Sequence, residues 1–225
     1  MAIAHEGTST TGRVNSATPI YDLPSGIVAG EVLIIAYYAA DQGMVPSATG
    51  WSVLTVNGGG ETAQIGILYK EATGSEGSTV DVTITSSGWT YYVASRISGV
   101  DVDDITNSDN YNSSASAGFP ATVTMAADTL TGLTSGDGCL YLMGCETTRT
   151  VVTQDSDLDL LGAYNNARMI QSFIDVDTGG TGNQEYVNEM SATRVYSLML
   201  INLKQGAGGG PVSIIPTIMH NRRQM

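Results

Sequence analysis

Apolar residues in this chain fall in short alternating runs, and one run is unbroken. Behind Pro24-Ser25-Gly26 and Gly30, residues Val32 to Ala40 are nine apolar positions in succession, rich in β-branched and aromatic side chains. Leu33, Ile35 and Tyr37 share one face of such a strand; Val32, Ile34, Ala36 and Tyr38 share the other. A strand with one wet face alternates apolar with polar residues, whereas a strand covered on both faces does not. The pattern therefore predicts a central strand over 31–40, covered by its own core and by something else, such as a neighbouring subunit. A buried helix competes as a reading, but the length and the flanking turns favour a strand.

The remaining chain repeats shorter versions of this signal. Pro19 to Pro24, Gly50 to Val56, Thr62 to Lys70, Thr79 to Thr85 and Trp89 to Ile97 read as strands, with Asn57-Gly58-Gly59-Gly60 as a hairpin turn. Phe119 to Met125, Gly138 to Cys145, Arg168 to Val176 and Thr193 to Leu203 continue the series. Residues 99–118 read as an acidic, Ser/Asn-rich loop, and 150–165 as a looser segment. Residues 5–18 are polar and irregular and read as an extended arm or a weak edge strand. About ten strands at this spacing, with no long 3.6-residue stripe, predict an all-β protein: an antiparallel β-sandwich of jelly-roll type. The expected organisation is an N-terminal arm over 1–18, a sandwich over 19–205, and a Gly-rich linker and tail over 206–225.

Composition agrees with short strands and tight turns: 225 residues include 27 glycines and only 14% charged residues. The charge is lopsided. Residues 1–203 hold all 22 acids and six bases, a balance of −16, whereas 204–225 hold Lys204, Arg222 and Arg223 and no acid. An acidic body repels nucleic acid and anionic membrane, so neither is an expected direct partner. The basic end is suited to an acidic surface, its own or a neighbour's. Beyond the Gly206–Gly210 hinge, Val212, Ile214, Ile215, Ile218 and Met219 are markedly apolar for a free tail. Together with Arg222 and Arg223 they form the expected partner-binding segment.

The first residues lack the basic and apolar regions of a secretory signal, and no apolar segment approaches the ~18–20 residues of a membrane span. Cys139 and Cys145 lie on one face of one expected strand, about 20 Å apart, too far for a disulfide. They read as buried free thiols of a protein folded in a reducing cytoplasm.

Catalytic chemistry finds little footing. The two histidines, His5 and His220, lie near the ends, away from the expected scaffold, so a Ser-His-Asp or Cys-His triad is not expected. No Cys/His spacing suits zinc and no phosphate loop is present. Asp155, Asp157 and Asp159 alternate as calcium ligands do, but Leu160 stands where an EF-hand needs Gly and Asn166 where it needs Glu. They are weak metal candidates, as are Asp101, Asp103 and Asp104; solvated acidic loops are the plainer reading. No cofactor and no enzymatic activity are expected. Trp51, Trp89 and the pairs Tyr37/Tyr38 and Tyr91/Tyr92 could stack on sugars, but aromatics at period-2 spacing more often serve a core or interface.

One layout is distinctive. Pro24-Ser25-Gly26, Gly30 to Ala36, Pro46, Gly50-Trp51-Ser52-Val53-Leu54, Ile67 to Ala72, Trp89 to Ala94 and Ile97 to Asp101 follow in an order and spacing that resembles jelly-roll structural proteins of tailed bacteriophages. The likeness runs over about residues 19–204. It implies a virion component, a head decoration or cement protein or else a fibre or tail accessory, most simply the first, made and folded in the bacterial cytoplasm. Implied partners are other copies of the chain (a trimer among the options) and the major capsid protein or another virion protein. The family carries no catalytic motif to transfer. The rival reading is a carbohydrate- or receptor-binding module of a phage fibre or bacterial surface protein, with a glycan as ligand.

Overall fold

A computed structural model describes residues 2–39, 44–57, 64–112, 122–126, 136–145, 151–153, 159–164, 169–175, 185–190 and 196–206. Strand makes up 61% of it, and no α-helix occurs among the described residues. All the sheets are antiparallel.

The first part of the chain supplies β1 (Ala4–His5), β2 (Thr10–Asn15), β3 (Ile20–Asp22), β4 (Val32–Ala39), β5 (Pro46–Ser47), β6 (Ser52–Asn57), β7 (Gln64–Glu71), β8 (Thr79–Asp81), β9 (Thr83–Ile84) and β10 (Trp89–Ser98). A short 3-10 turn, Val102–Asp104, leads to the second part. There follow β11 (Thr106–Asn112), β12 (Thr122–Ala126), β13 (Gly138–Cys145), β14 (Val151–Thr153), β15 (Asp159–Tyr164), β16 (Met169–Asp175), β17 (Glu185–Met190) and β18 (Tyr196–Leu203).

The two parts share one plan. The first large sheet runs β10-β4-β7-β6, with β1 and β2 together along the outer side of β10; the second runs β11-β18-β13-β16-β15. The small sheets agree as well. In the first part β3 pairs β8 and β5 pairs β9, with β8 and β9 separated only by Val82; in the second the order is β12-β17-β14. Register matches too. Val32 faces Ile97 and Ala39 faces Thr90 in the first large sheet; Gly138 faces Leu203 and Cys145 faces Tyr196 in the second, every residue 106 positions further on. Where one sandwich was expected over 19–205, the described strands form two units of like topology.

The unbroken apolar run is β4, and it is central as its pattern requires. All eight of its residues are buried. Leu33, Ile35 and Ala39 face a cluster with Tyr21, Leu23, Met44, Val82 and Ile84 of the first small sheet and its loops. Val32, Ile34, Ala36 and Tyr38 face Leu140, Leu142, Met169, Phe173, Met199 and Ile201 of the second large sheet. The cover on this second face is therefore the chain's own second half. The start of β4 depends on Gly30, whose φ of +86° is open to glycine without a Cβ clash, and whose N–H donates to the Ala72 carbonyl at 2.9 Å. Gly136, 106 positions on, has φ +93° before β13.

Four sequence expectations change. The looser segment expected over 150–165 holds strands β14 and β15. Of the two readings for residues 5–18, the edge strand is realised: β1 and β2 pair along β10, with the chain leaving the ladder between them. The loop expected over 99–118 contains strand β11, paired to β18. β17, Glu185–Met190, was not anticipated. The linker and tail from residue 207 lie outside the described residues.

Candidate functional site

Most of the sequence candidates do not meet in one place. Val212, Ile214, Ile215, Ile218, Met219, Arg222 and Arg223 lie outside the described residues, as do His220, Asp155 and Asp157. Asp159 opens edge strand β15. Asp101 caps the 3-10 turn, accepting from the Asp103 N–H at 3.1 Å, and Asp104 pairs with Lys204 at 3.2 Å. These acids hold the joint between the two halves. Among the described residues no group of three or more His, Cys, Asp or Glu side chains is arranged to hold a metal.

The densest polar cluster sits where β1 leaves β10 for β2. Arg96, on β10, reaches the Glu31 carboxylate at 3.0 Å from Nη1 and donates through Nε to the Glu6 carbonyl at 3.1 Å; Nη1 also donates to the Gly26 carbonyl. Glu31 in turn accepts from the Val28 N–H at 3.0 Å. Ser98 donates to the Glu6 carboxylate at 2.7 Å. A guanidinium offers several donors in a fixed plane, so one side chain can tie three segments: the N-terminal bulge, the Pro24–Gly26 turn and the start of β4. Gly7, at φ +72°, leaves room for it; a Cβ there would stand 3.0 Å from Arg96 Nη2.

His5 lies in the same cluster, its Nε2 3.1 Å from Ser9 Oγ. Burial lowers its pKa below 6.5, and the nearby Arg96 charge lowers it further against a smaller opposing pull from Glu6. The ring is thus neutral at pH 7. A histidine–serine contact is a fragment of a nucleophilic site, but a working site also needs an orienting acid and an oxyanion cradle. Here Glu6 is engaged by Ser98, and the surrounding donors point at backbone carbonyls of the seam. The arrangement fastens an edge strand.

Cys139 is free and buried, and burial pushes its thiol up to about 12, against a smaller opposing effect of a hydrogen bond involving Ile201. It stays a thiol at neutral pH and is no nucleophile. Cys145 closes the same strand.

The aromatic candidates divide between interior and surface. Tyr37, Tyr38, Tyr91 and Tyr92 are buried. Tyr21 stacks on Tyr92 at 4.4 Å between centroids, and the Tyr21 hydroxyl donates to Thr90 Oγ1 at 2.9 Å. Trp51 packs at the margin of the first small-sheet core, with the Lys70 ammonium 5.9 Å from its ring. Trp89 is exposed and carries the Arg13 guanidinium 4.2 Å from its ring centre. The two tryptophans and the tyrosine pairs do not form a shared platform. No helix among the described residues is long and apolar enough to cross a membrane.

Comparison with protein-family models, with curated proteins and with solved structures finds no match to the chain.

Proposed function

We propose that this chain is a non-enzymatic structural protein of a tailed-bacteriophage virion, most simply a capsid decoration or cement protein that acts through contacts between subunits. The observation that carries the reading is the placement of aromatic side chains: all four residues of the two tyrosine pairs are interior, where they bury area for cohesion. A sugar-binding face would need them outside. The polar cluster at Arg96 supports the same reading, since its charged groups fasten strands to one another.

Each half is read as a jelly roll. With β1 and β2 counted as one, its first four strands alternate between a large and a small sheet, as the strands of that fold do. The departure is β6, and its counterpart β15, which pair with the next strand in the large sheet. In this account the segment Val212, Ile214, Ile215, Ile218, Met219, Arg222 and Arg223 docks on a neighbouring copy or on the major capsid protein. The apolar residues are buried there and the arginines meet an acidic body.

Light scattering on the full chain and on a chain ending at Gln205 tests the tail's role. The reading expects an oligomer that becomes smaller on truncation. An unchanged size together with specific binding on a glycan array would replace it with the receptor-binding alternative.

A further inference from the structure

Most contacts between the two large sheets are symmetric under exchange of the halves; the exception among the described residues is β10 on β15, which has no comparable contact of β18 on β6. β4 lies on β13; β4 lies on β16 as β7 lies on β13; β10 lies on β16 as β18 lies on β7; β2 lies on β15 as β11 lies on β6. Each partner in these pairs is the positional counterpart of the other in the shared strand order. This is the geometry of an isologous dimer interface, here within one chain.

The side chains depart from that symmetry in a complementary way. Tyr38 and Gly144 are counterparts, 106 positions apart, and they touch: a Cβ at Gly144 would stand 2.5 Å from Tyr38 Cγ. Two tyrosines there would collide and two glycines would leave a void, whereas a ring against a glycine fits. Ser95 donates to Gln171 Oε1 at 3.1 Å in the buried interface, while the counterpart positions are Ile201 and Ile67 (which faces Ala36 as Gln171 faces Leu142), both apolar and buried. Each inner face thus matches the other half better than it matches itself.

We propose that the inner face of each half is an association surface specific for the opposite half, and that it accepts this half from a second copy of the chain as well as from its own. The halves are joined through Gly99–Ile105, where Asp101 N–H donates to the Lys204 carbonyl and Gly206 N–H to the Gly99 carbonyl. A first half packed on another chain's second half makes the same sheet-to-sheet contacts as within one chain. The choice between the two arrangements is then set by the joint and by concentration, with short tethers favouring the same chain. Exchange of halves offers a way to link copies that is independent of the C-terminal tail.

The test uses the full chain with a protease-cleavable sequence inserted after Asp103, an exposed position in the joint. Light and isotopically heavy proteins are purified folded, cut, mixed, and followed by native mass spectrometry. The expected result is a 1:1 particle of first and second halves, with light–heavy particles growing to become the commonest species. Particles of two first halves are absent. A cut Gly144→Leu protein keeps both halves soluble and strand-rich but shifts them toward separate species. The proposal is overturned if the wild-type halves never exchange short of global unfolding, if first halves pair with one another as readily, or if each half loses its strand signal on separation.

Discussion

Gly144 offers a direct probe of how the halves fit. In Gly144→Ala the new methyl would stand 2.5 Å from Tyr38 Cγ and 2.7 Å from Tyr38 Cβ, where carbon atoms prefer about 3.5–4.0 Å. The ring has to withdraw by about 1–1.5 Å at Cγ and further at Cδ2, its nearest atom, yet it is fully buried, and Tyr91 lies 6.3 Å away between ring centroids. Overpacking of this kind costs roughly 1–3 kcal/mol. Replacing a strand-interior glycine by alanine returns about 0.5–1 kcal/mol of chain entropy. The net expectation is a loss of about 1–2 kcal/mol, or a fall of roughly 2–8 °C in Tm for a chain of this size. Differential scanning calorimetry measures it. A double-mutant cycle isolates the cause, because in a Tyr38→Gly background, which removes Cβ as well as the ring, the added methyl meets space and the same change becomes neutral or stabilising. Equal destabilisation in both backgrounds would refute the proposed packing of Tyr38 on Gly144.

Three further outcomes follow from named contacts. Ser95→Ala leaves the Gln171 carbonyl without its hydroxyl partner in the interface and should cost about 1–3 kcal/mol in urea unfolding. Ser95→Ala combined with Gln171→Leu imitates the apolar Ile201 and Ile67 counterparts and should recover most of that loss. Arg96→Met should destabilise by about 3 kcal/mol by stranding Glu31, and hydrogen exchange should show β1 and the Pro24–Gly26 turn opening first. The Glu76 carboxyl is raised by burial, but hydrogen bonds from the Thr73 amide, the Lys70 ammonium and other local donors outweigh this and hold it at about 2. Its folded pKa lies below the unfolded value of 4.5, so its contribution is complete above pH 4.5 and disappears as pH falls toward 2. Glu76→Gln should flatten the stability profile across that window, as read by urea midpoints at successive pH values.

The elements most legible in the sequence were those whose side chains carry the packing. β4 was anticipated at 31–40 and spans Val32–Ala39, with the same residues on each face, because burial on both sides writes itself into every position. The tyrosine pairs were legible as interior for the same reason. Edge strands were less visible. Thr10–Asn15 and Thr106–Asn112 are polar, and their place comes from backbone pairing to β10 and β18, which asks little of side-chain pattern. The likeness of the halves was hidden because counterparts across the inner interface have diverged to complement one another: Tyr38 with Gly144, Ser95 with Ile201, Ile67 with Gln171. What persists is the turn before the central strand, Gly30-Glu31 and Gly136-Asp137, where a positive φ precedes a buried acid. Glu31 receives Arg96, and Asp137 receives the Gln205 N–H at 2.7 Å. The Arg96 cluster could not be read from spacing, since its members lie at positions 6, 26, 31, 96 and 98 and meet only through the sheet.

The virion assignment is tested most directly by the protein content of purified phage particles whose genome encodes this chain. Quantitative mass spectrometry of those particles, with immunogold labelling of intact heads, should find the chain on the head surface in fixed stoichiometry with the major capsid protein. Particles that lack the chain, while the infected cell contains it in soluble form, would contradict the account.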